Sequence, residues 1–160
     1  MDNLIRQEFA NGIQCINLKK YSTAILHFNK ALELHWSDNV NRDDFEESCL
    51  FNLAQSYKEN GQNTQAITNY KKALSINPKL EKVYMKIAEC CFEINTHEYL
   101  QLGIDYLKKC TNYFPNSSSV YMNMGIALIK IGNLSEAKKS FENAKRLGNS
   151  DADRFIKDWC

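Results

Sequence analysis

The residues that could do chemistry in this chain are three histidines and six cysteines, and neither set has the pattern of a reactive site. His27, His35 and His97 are far apart, and no Ser–His–Asp or Cys–His arrangement accompanies them. The cysteines include no CxxC pair and no histidine at the spacing of zinc ligands. We therefore expect them to be small, reduced and mostly buried residues. They are Cys15, Cys49, Cys90, Cys91, Cys110 and Cys160.

Other patterns of catalytic or cofactor-binding proteins are not found in the sequence. There is no glycine-rich phosphate loop and no pair of carboxylates placed on facing elements. The acidic residues Asp43, Asp44, Glu46 and Glu47 are typical of a solvated helix start, where carboxylates interact favourably with the helix dipole. We therefore expect no enzyme activity, no cofactor and no metal.

Composition narrows the class of partner. The 160 residues carry a formal net charge of +1, and 24% are charged, so no global charge favours nucleic acid. No apolar run reaches the ~18 residues of a membrane span. The first residues lack the basic and apolar regions of a secretion signal. These features predict a cytoplasmic protein that binds no nucleic acid and has no membrane span.

The elements that must position any site follow from an internal repeat. A small residue is followed by another about twelve positions later, then by a large residue after four more, and by a small one after three more. Between the two small residues of the third copy, the chain is three residues longer, which predicts an insertion in the turn around Thr96–Leu100. The four copies are Gly12, Ala24, Phe28, Ala31; Ala54, Ala66, Tyr70, Ala73; Ala88, Gly103, Leu107, Cys110; and Gly125, Ala137, Phe141, Ala144.

These residue types, spacings and a period of about 34 residues closely resemble the tetratricopeptide repeat. The resemblance implies an all-α fold, a right-handed α-solenoid of about four helix pairs, each with a helix A and a helix B. We expect one domain over residues 1–160, with a short capping helix at 152–160 in which Phe155, Ile156 and Trp159 share a face. The predicted repeats span about 5–38, 47–80, 81–117 and 118–151, with extra residues near 37–44 between the first two.

Glycines and prolines are placed to end these helices. Gly61 and Gly132 fall at the turn between helix A and helix B, where a left-handed residue closes a helix. Pro78 and Pro115 follow helix B, because proline disfavours helix at the residue before it.

Helix A of each repeat lines the concave groove of such a solenoid, so the resemblance also implies which residues face a partner. Apolar side chains dominate the predicted groove, and an apolar surface of this extent often marks a binding site. The predicted peptide-binding residues are Arg6, Phe9, Ile13, Phe51, Asn52, Gln55, Lys82, Met85, Lys86, Met122 and Asn123. Phe92, Ile126 and Ile129 extend the apolar stripe. Any apolar side chain of the stripe, Phe9 and Ile13 included, could instead pack beneath its neighbours.

Three of these residues form a charged group in the predicted groove. Lys82 and Lys86 are one helical turn apart, and Asn52 faces them from the adjacent helix A. The group resembles part of the carboxylate clamp by which chaperone-binding and immunophilin-type tetratricopeptide domains hold acidic chaperone tails. The first-repeat positions of that clamp hold Phe9 and Ile13 here instead of a cation and an amide.

The sequence therefore predicts an adaptor that binds a partner peptide or segment in its groove. The clamp resemblance implies a co-chaperone-like role, with the acidic C-terminal tail of a chaperone as partner. The alternative is a structural subunit or scaffold that self-associates through the apolar groove or the C-terminal helix.

Overall fold

A computed structural model describes residues 2–37 and 43–159, and the described residues form α-helices joined by short turns, without strands. The predicted all-α class is confirmed. The extra residues expected between the first two repeats fall largely at 38–42, outside the described residues. The helices are α1 (Asp2–Asn17), α2 (Tyr21–Ser37), α3 (Asp43–Glu59), α4 (Asn63–Ile76), α5 (Glu81–Ile94), α6 (His97–Tyr113), α7 (Ser118–Lys130), α8 (Leu134–Arg146) and α9 (Ala152–Trp159).

Short polar side chains begin several helices and prolines end two of them. The side chains of Thr96, Ser117 and Asn133 each accept a bond from the backbone N–H three residues later, satisfying a donor that has no partner within the helix. α4 ends directly before Asn77-Pro78, and α6 ends directly before Phe114-Pro115, as predicted.

Each turn between paired helices contains one left-handed residue. Gly61 and Gly132 have φ values of +76° and +78°, which confirms the predicted turns. Lys19 and Asn95 take the same place in the other two pairs, both with φ of +57°, a conformation that costs a residue with a Cβ atom more than it costs glycine.

The chain divides into two compact units, Met1–Val83 and Tyr84–Cys160, and the division falls just after the first turn of α5. In the first unit α1 packs on α2, α2 on α3, and α3 on α4. Its core is built around Phe28 and Tyr70, both fully buried. In the second unit α6 packs on α7, α7 on α8, and α8 on α9. Phe141 and Leu107 are fully buried there.

The three extra residues of the third repeat lie mainly in a helix, which corrects the prediction of a longer turn. The turn between α5 and α6 is only Asn95-Thr96. α6 begins at His97, six residues before the small residue Gly103, whereas α4 begins three residues before Ala66. Thr96 caps the lengthened helix, so the added residues gain helical hydrogen bonds instead of extending a loop.

The capping helix and the cysteines largely match their predictions. The rings of Phe155 and Phe141 lie 5.2 Å apart between centroids, so α9 covers α8. Trp159 is 55% exposed, however, and does not join Phe155 in shielding the last repeat. Cys160 lies outside the described residues. Cys15 is half-buried, and four cysteines are fully buried, namely Cys49, Cys90, Cys91 and Cys110.

Candidate peptide-binding site

A cavity of about 400 Å³ in the first unit contains three of the predicted binding residues. It lies between the first half of α3 and the segment that joins α4 to α5. Phe51, Asn52 and Lys82 all line it, and their role in binding a peptide stays a prediction. The full lining is Glu47, Ser48, Phe51, Asn52, Lys79, Leu80, Glu81, Lys82 and Val83.

Hydrogen bonds from Asn77 shape one wall of the cavity. Asn77 caps the end of α4, and its Nδ2 donates to Oε2 of Glu47 on α3 at 2.9 Å. The backbone N–H of Lys79 donates to Oδ1 of the same asparagine at 3.0 Å. The Asn-Pro pair that ends α4 therefore also ties the connecting segment to α3 and places Lys79 on the cavity.

The amide of Asn52 is oriented by its own helix. Nδ2 donates to the backbone carbonyl of Ser48 at 2.8 Å. A carbonyl oxygen only accepts hydrogen bonds, so the NH₂ group must face Ser48, where it uses one of its two N–H donors. Within the described residues, Oδ1 has no hydrogen-bond partner. Asn52 can therefore offer a ligand both its Oδ1 acceptor and its second N–H donor.

The cavity combines both signs of charge with an apolar surface. Lys79 and Lys82 are exposed and form no ion pair within ranges 2–37 and 43–159. Glu47 and Glu81 line the same cavity. Phe51 is half-buried, and its ring centroid lies 5.8 Å from that of Tyr70. A bound segment would therefore contact two cations, two carboxylates and an aromatic side chain.

Lys86 differs from Lys82 in its surroundings. It belongs to the second unit, and its Nζ lies 2.8 Å from Oε2 of Glu89, one turn further along α5. The sequence predicted two free cations, Lys82 and Lys86. Among the described residues Lys82 has no ion pair, whereas Lys86 is already paired with a carboxylate.

The predicted residues of the first helix do not line the cavity. Phe9 and Ile13 are half-buried and pack against the core of the first unit. The ring of Phe9 lies 5.7 Å from that of Phe28 and 5.6 Å from that of Phe45. The core takes part of the surface of Phe9 and Ile13, and their assignment to the binding groove stays a prediction. Arg6 is exposed.

The remaining predicted residues are spread over three helices. Gln55 is half-buried on α3 and is not part of the cavity lining. In the second unit, Met85 on α5 and both Met122 and Asn123 on α7 are half-buried. Phe92, Ile126 and Ile129 are also half-buried, so part of each apolar side chain remains accessible.

Sequence reasoning missed a polar cluster that joins α2 to α3. Oε1 of Glu46 accepts from Nε1 of Trp36 at 3.0 Å, and Oε2 lies 3.4 Å from Nε2 of His35. The ring of His35 is buried and packs on Phe45 at 5.2 Å. The acidic residues were assigned to a solvated helix start, and only the position of α2 shows that Glu46 has these partners.

No three His, Cys, Asp or Glu side chains in the described part of the chain are grouped closely enough to hold a metal ion. None of the described helices combines the length and the apolar character that crossing a membrane requires.

Comparisons with known proteins give a family but no close relative. A family model described as "TPR repeat" matches residues 54–92, and one described as "Tetratricopeptide repeat" matches residues 118–149. No curated protein matches the chain.

Several solved structures share the fold at low sequence identity. MamA (41-end) from Desulfovibrio magneticus RS-1 is 14% identical with a TM-score of 0.73, over 91% of this chain and 76% of that one. YrrB, described as a TPR protein with an unusual peptide-binding site, is 16% identical with a TM-score of 0.72, over 94% and 73%. The thermophilic TPR protein TTC0263 from Thermus thermophilus is 21% identical with a TM-score of 0.61, over 95% and 78%.

The small and aromatic residues define a repeat period. The matched repeats, the paired helices and the similar structures all agree with that period. They confirm the predicted class, an all-α solenoid fold of this repeat type. Such repeats typically form non-catalytic scaffolds whose partners are proteins or peptides. The chain therefore carries tetratricopeptide repeats at residues 54–92 and 118–149 and has the fold of proteins built from them.

Proposed function

We propose that this protein is an adaptor that binds an extended segment of a partner protein in the cavity between α3 and the start of α5. Apolar side chains of the segment contact Phe51 and Leu80, and an acidic group lies near Lys79 and Lys82. The observation that carries the proposal is the cavity itself, because it brings Phe51, Asn52 and Lys82 together in one concave surface.

Two further facts support a peptide as the ligand. The cavity is lined by two elements and offers donors, acceptors and apolar surface, which suits a chain with backbone and side-chain groups. YrrB, one of the similar structures, is described as having an unusual peptide-binding site. A chaperone tail, which the clamp resemblance implied, is one acidic segment that belongs to this class, and a co-chaperone-like role is part of the proposal.

The proposal is tested with peptides selected from a random library on the wild-type protein. Lys82→Glu should weaken the affinity of a selected peptide about tenfold or more, because it replaces attraction of an acidic group by repulsion. Phe51→Ala should weaken it by a similar factor through lost apolar contact. The matched control is Lys71→Glu, an exposed lysine of α4 that does not line the cavity.

Equal affinities for wild type, Lys82→Glu and Phe51→Ala would place binding elsewhere and end the proposal. Sedimentation of the same samples tests the alternative role of self-associating subunit. A dimer that persists on dilution and excludes the selected peptides would favour that alternative.

We further propose that the protein acts in the cytoplasm. The described cysteines form no disulfides, and four of them are buried, which suits a reducing compartment. Fractionation of cells that express a tagged full-length chain would test this assignment.

A further inference from the structure

We infer that the turn between α3 and α4 is a site of spontaneous covalent modification, at which Asn60 loses its side-chain amide and becomes aspartate or isoaspartate. The inference goes beyond the proposed function and does not depend on it. Asn60 is followed by Gly61, and the sequence contains one other Asn-Gly pair, Asn11-Gly12. We expect the folded protein to react at Asn60 and to protect Asn11.

The reaction joins the side chain of Asn60 to the backbone that follows it. The backbone nitrogen of Gly61 gives up its proton to a solvent base and attacks Cγ of Asn60, forming a cyclic succinimide. The bond between Cγ and Nδ2 breaks, and the amide nitrogen takes up a proton and leaves as ammonia. Water then opens the ring at either carbonyl, which gives aspartate or isoaspartate. Glycine favours the attack because it has no Cβ atom beside the reacting nitrogen.

The two glycines differ in how much structure must open before their nitrogens can react. Gly12 is buried within α1, where a Cβ atom would be 2.7 Å from ring carbons of Phe28. Its N–H is bound inside the helix, so attack on Asn11 requires α1 to open locally. Gly61 is exposed and lies beyond the last residue of α3, and a Cβ atom there would meet nothing within 4 Å.

The bonds that restrain Asn60 lie at the surface. The N–H of Gly61 donates to the carbonyl of Lys58 at 2.9 Å, at the frayed end of the helix. Nδ2 of Asn60 donates to Oε1 of Gln62 at 2.9 Å, and Oδ1 accepts from Oγ of Ser22 at 3.1 Å. Both side-chain bonds are exposed, so water can replace either partner at small cost. Fraying of a terminal turn costs far less than opening the middle of a helix, so Asn60 is the accessible pair.

Either product changes the turn. The N–H groups of Gly61 and Gln62 close it on the carbonyls of Lys58 and Tyr57, at 2.9 and 2.8 Å. Isoaspartate adds a carbon atom to the main chain within this turn and disturbs both bonds. Aspartate keeps the main chain but places a carboxylate at the C-terminal end of α3, where the helix dipole disfavours negative charge. We therefore expect the converted protein to melt at a lower temperature than the unconverted protein.

The test incubates the full chain in mildly alkaline buffer and follows each asparagine by peptide mass spectrometry. A second sample is kept unfolded in guanidinium chloride. In the folded sample, Asn60 should convert at least about tenfold faster than Asn11. In the denatured sample the two rates should agree within about threefold, because only the fold distinguishes the two pairs. Asn60→Gln is the matched control, since its longer side chain disfavours the ring, and its melting temperature should not fall during the incubation.

Three results would overturn the inference. They are comparable conversion of both pairs in the folded sample, conversion of Asn11 before Asn60, and an intact Asn60 amide in the folded protein after the denatured sample has converted. Circular dichroism before and after the incubation establishes that the first sample stays folded. A melting temperature that does not fall after full conversion at Asn60 would contradict the expected effect on the turn.

Discussion

Gly12 lies directly against the ring of Phe28, and a Cβ atom at Gly12 would be 2.7 Å from two ring carbons. The same relationship recurs between Gly125 and Phe141, at 2.5 Å. Both rings are fully buried. The glycine of helix A and the aromatic residue of helix B are therefore parts of one contact, which explains why the sequence repeats them at the same spacing.

Adding a methyl group at this contact should destabilise the first unit. For Gly12→Ala we expect a loss of about 1–2 kcal/mol in the free energy of unfolding, since overpacking outweighs the higher helix propensity of alanine. Chemical denaturation measures this loss. In Gly103→Ala the new Cβ would lie 3.1 Å from the Phe92 ring, so the loss should be smaller.

Combining Gly12→Ala with Phe28→Leu should cost less than the sum of the two single changes. Simple additivity would contradict the contact.

The left-handed turns predict opposite effects for two substitutions. Lys19→Gly should raise the free energy of unfolding by about 0.5–1 kcal/mol, because glycine adopts a φ of +57° without steric cost. Gly61→Ala should lower it by about 1 kcal/mol. A Cβ at Gly61 would meet no atom within 4 Å, so this loss reports backbone conformation alone. Lys20→Gly, at the neighbouring exposed lysine, is the control and should not stabilise. Thermal unfolding of the variants shows whether each substitution raises or lowers the stability.

Stability should fall in alkaline solution because of two buried thiols. Burial raises the pKa of Cys49 from an ordinary value of 9.0 to about 12, with a smaller contribution from nearby Glu46. Burial also raises the pKa of Cys91 to about 11. Above pH 9 the unfolded chain loses these protons while the folded chain keeps them, so ionisation favours unfolding. The stabilisation is complete below pH 9 and decreases toward pH 11 to 12.

Denaturation curves between about pH 8 and pH 10.5 measure this slope, which should reach about 1.4 kcal/mol per pH unit for each thiol. Cys49→Ala and Cys91→Ala should each flatten it, whatever they do to stability at neutral pH. An unchanged slope in both variants would show that other groups cause the alkaline loss.

The C-terminal helix should stabilise the second unit through Phe155 and not through Trp159. Phe155→Ala removes a half-buried ring that packs 5.2 Å from Phe141, and we expect a loss of about 1–3 kcal/mol. Trp159 is 55% exposed, so Trp159→Ala should change the free energy of unfolding by less than about 0.5 kcal/mol. Urea denaturation compares the two. Similar losses would mean that the whole apolar face of α9 caps the repeat.

The repeat period and the fold class could be predicted from the sequence because both depend on local, recurring needs. Gly12 and Gly125 allow helices to approach, Gly61 permits a left-handed turn, and Pro78 ends a helix. Each of these requirements follows from the residue type and its spacing, so the pattern was visible without coordinates. The same period predicted that Phe51, Asn52 and Lys82 lie near one another, and all three line one cavity.

The details of the site depend on which partners each side chain finds once the helices are packed, and these only the tertiary structure decided. Asn52 uses one N–H donor on the carbonyl of Ser48, and Lys86 is paired with Glu89. Phe9 is partly taken up by the core through Phe28 and Phe45. Where a side chain has several possible partners, the spacing of residues in the sequence does not reveal which partner it binds. The sequence by itself therefore determined where a groove residue lies, and the packing around it determined which atoms it offers to a ligand.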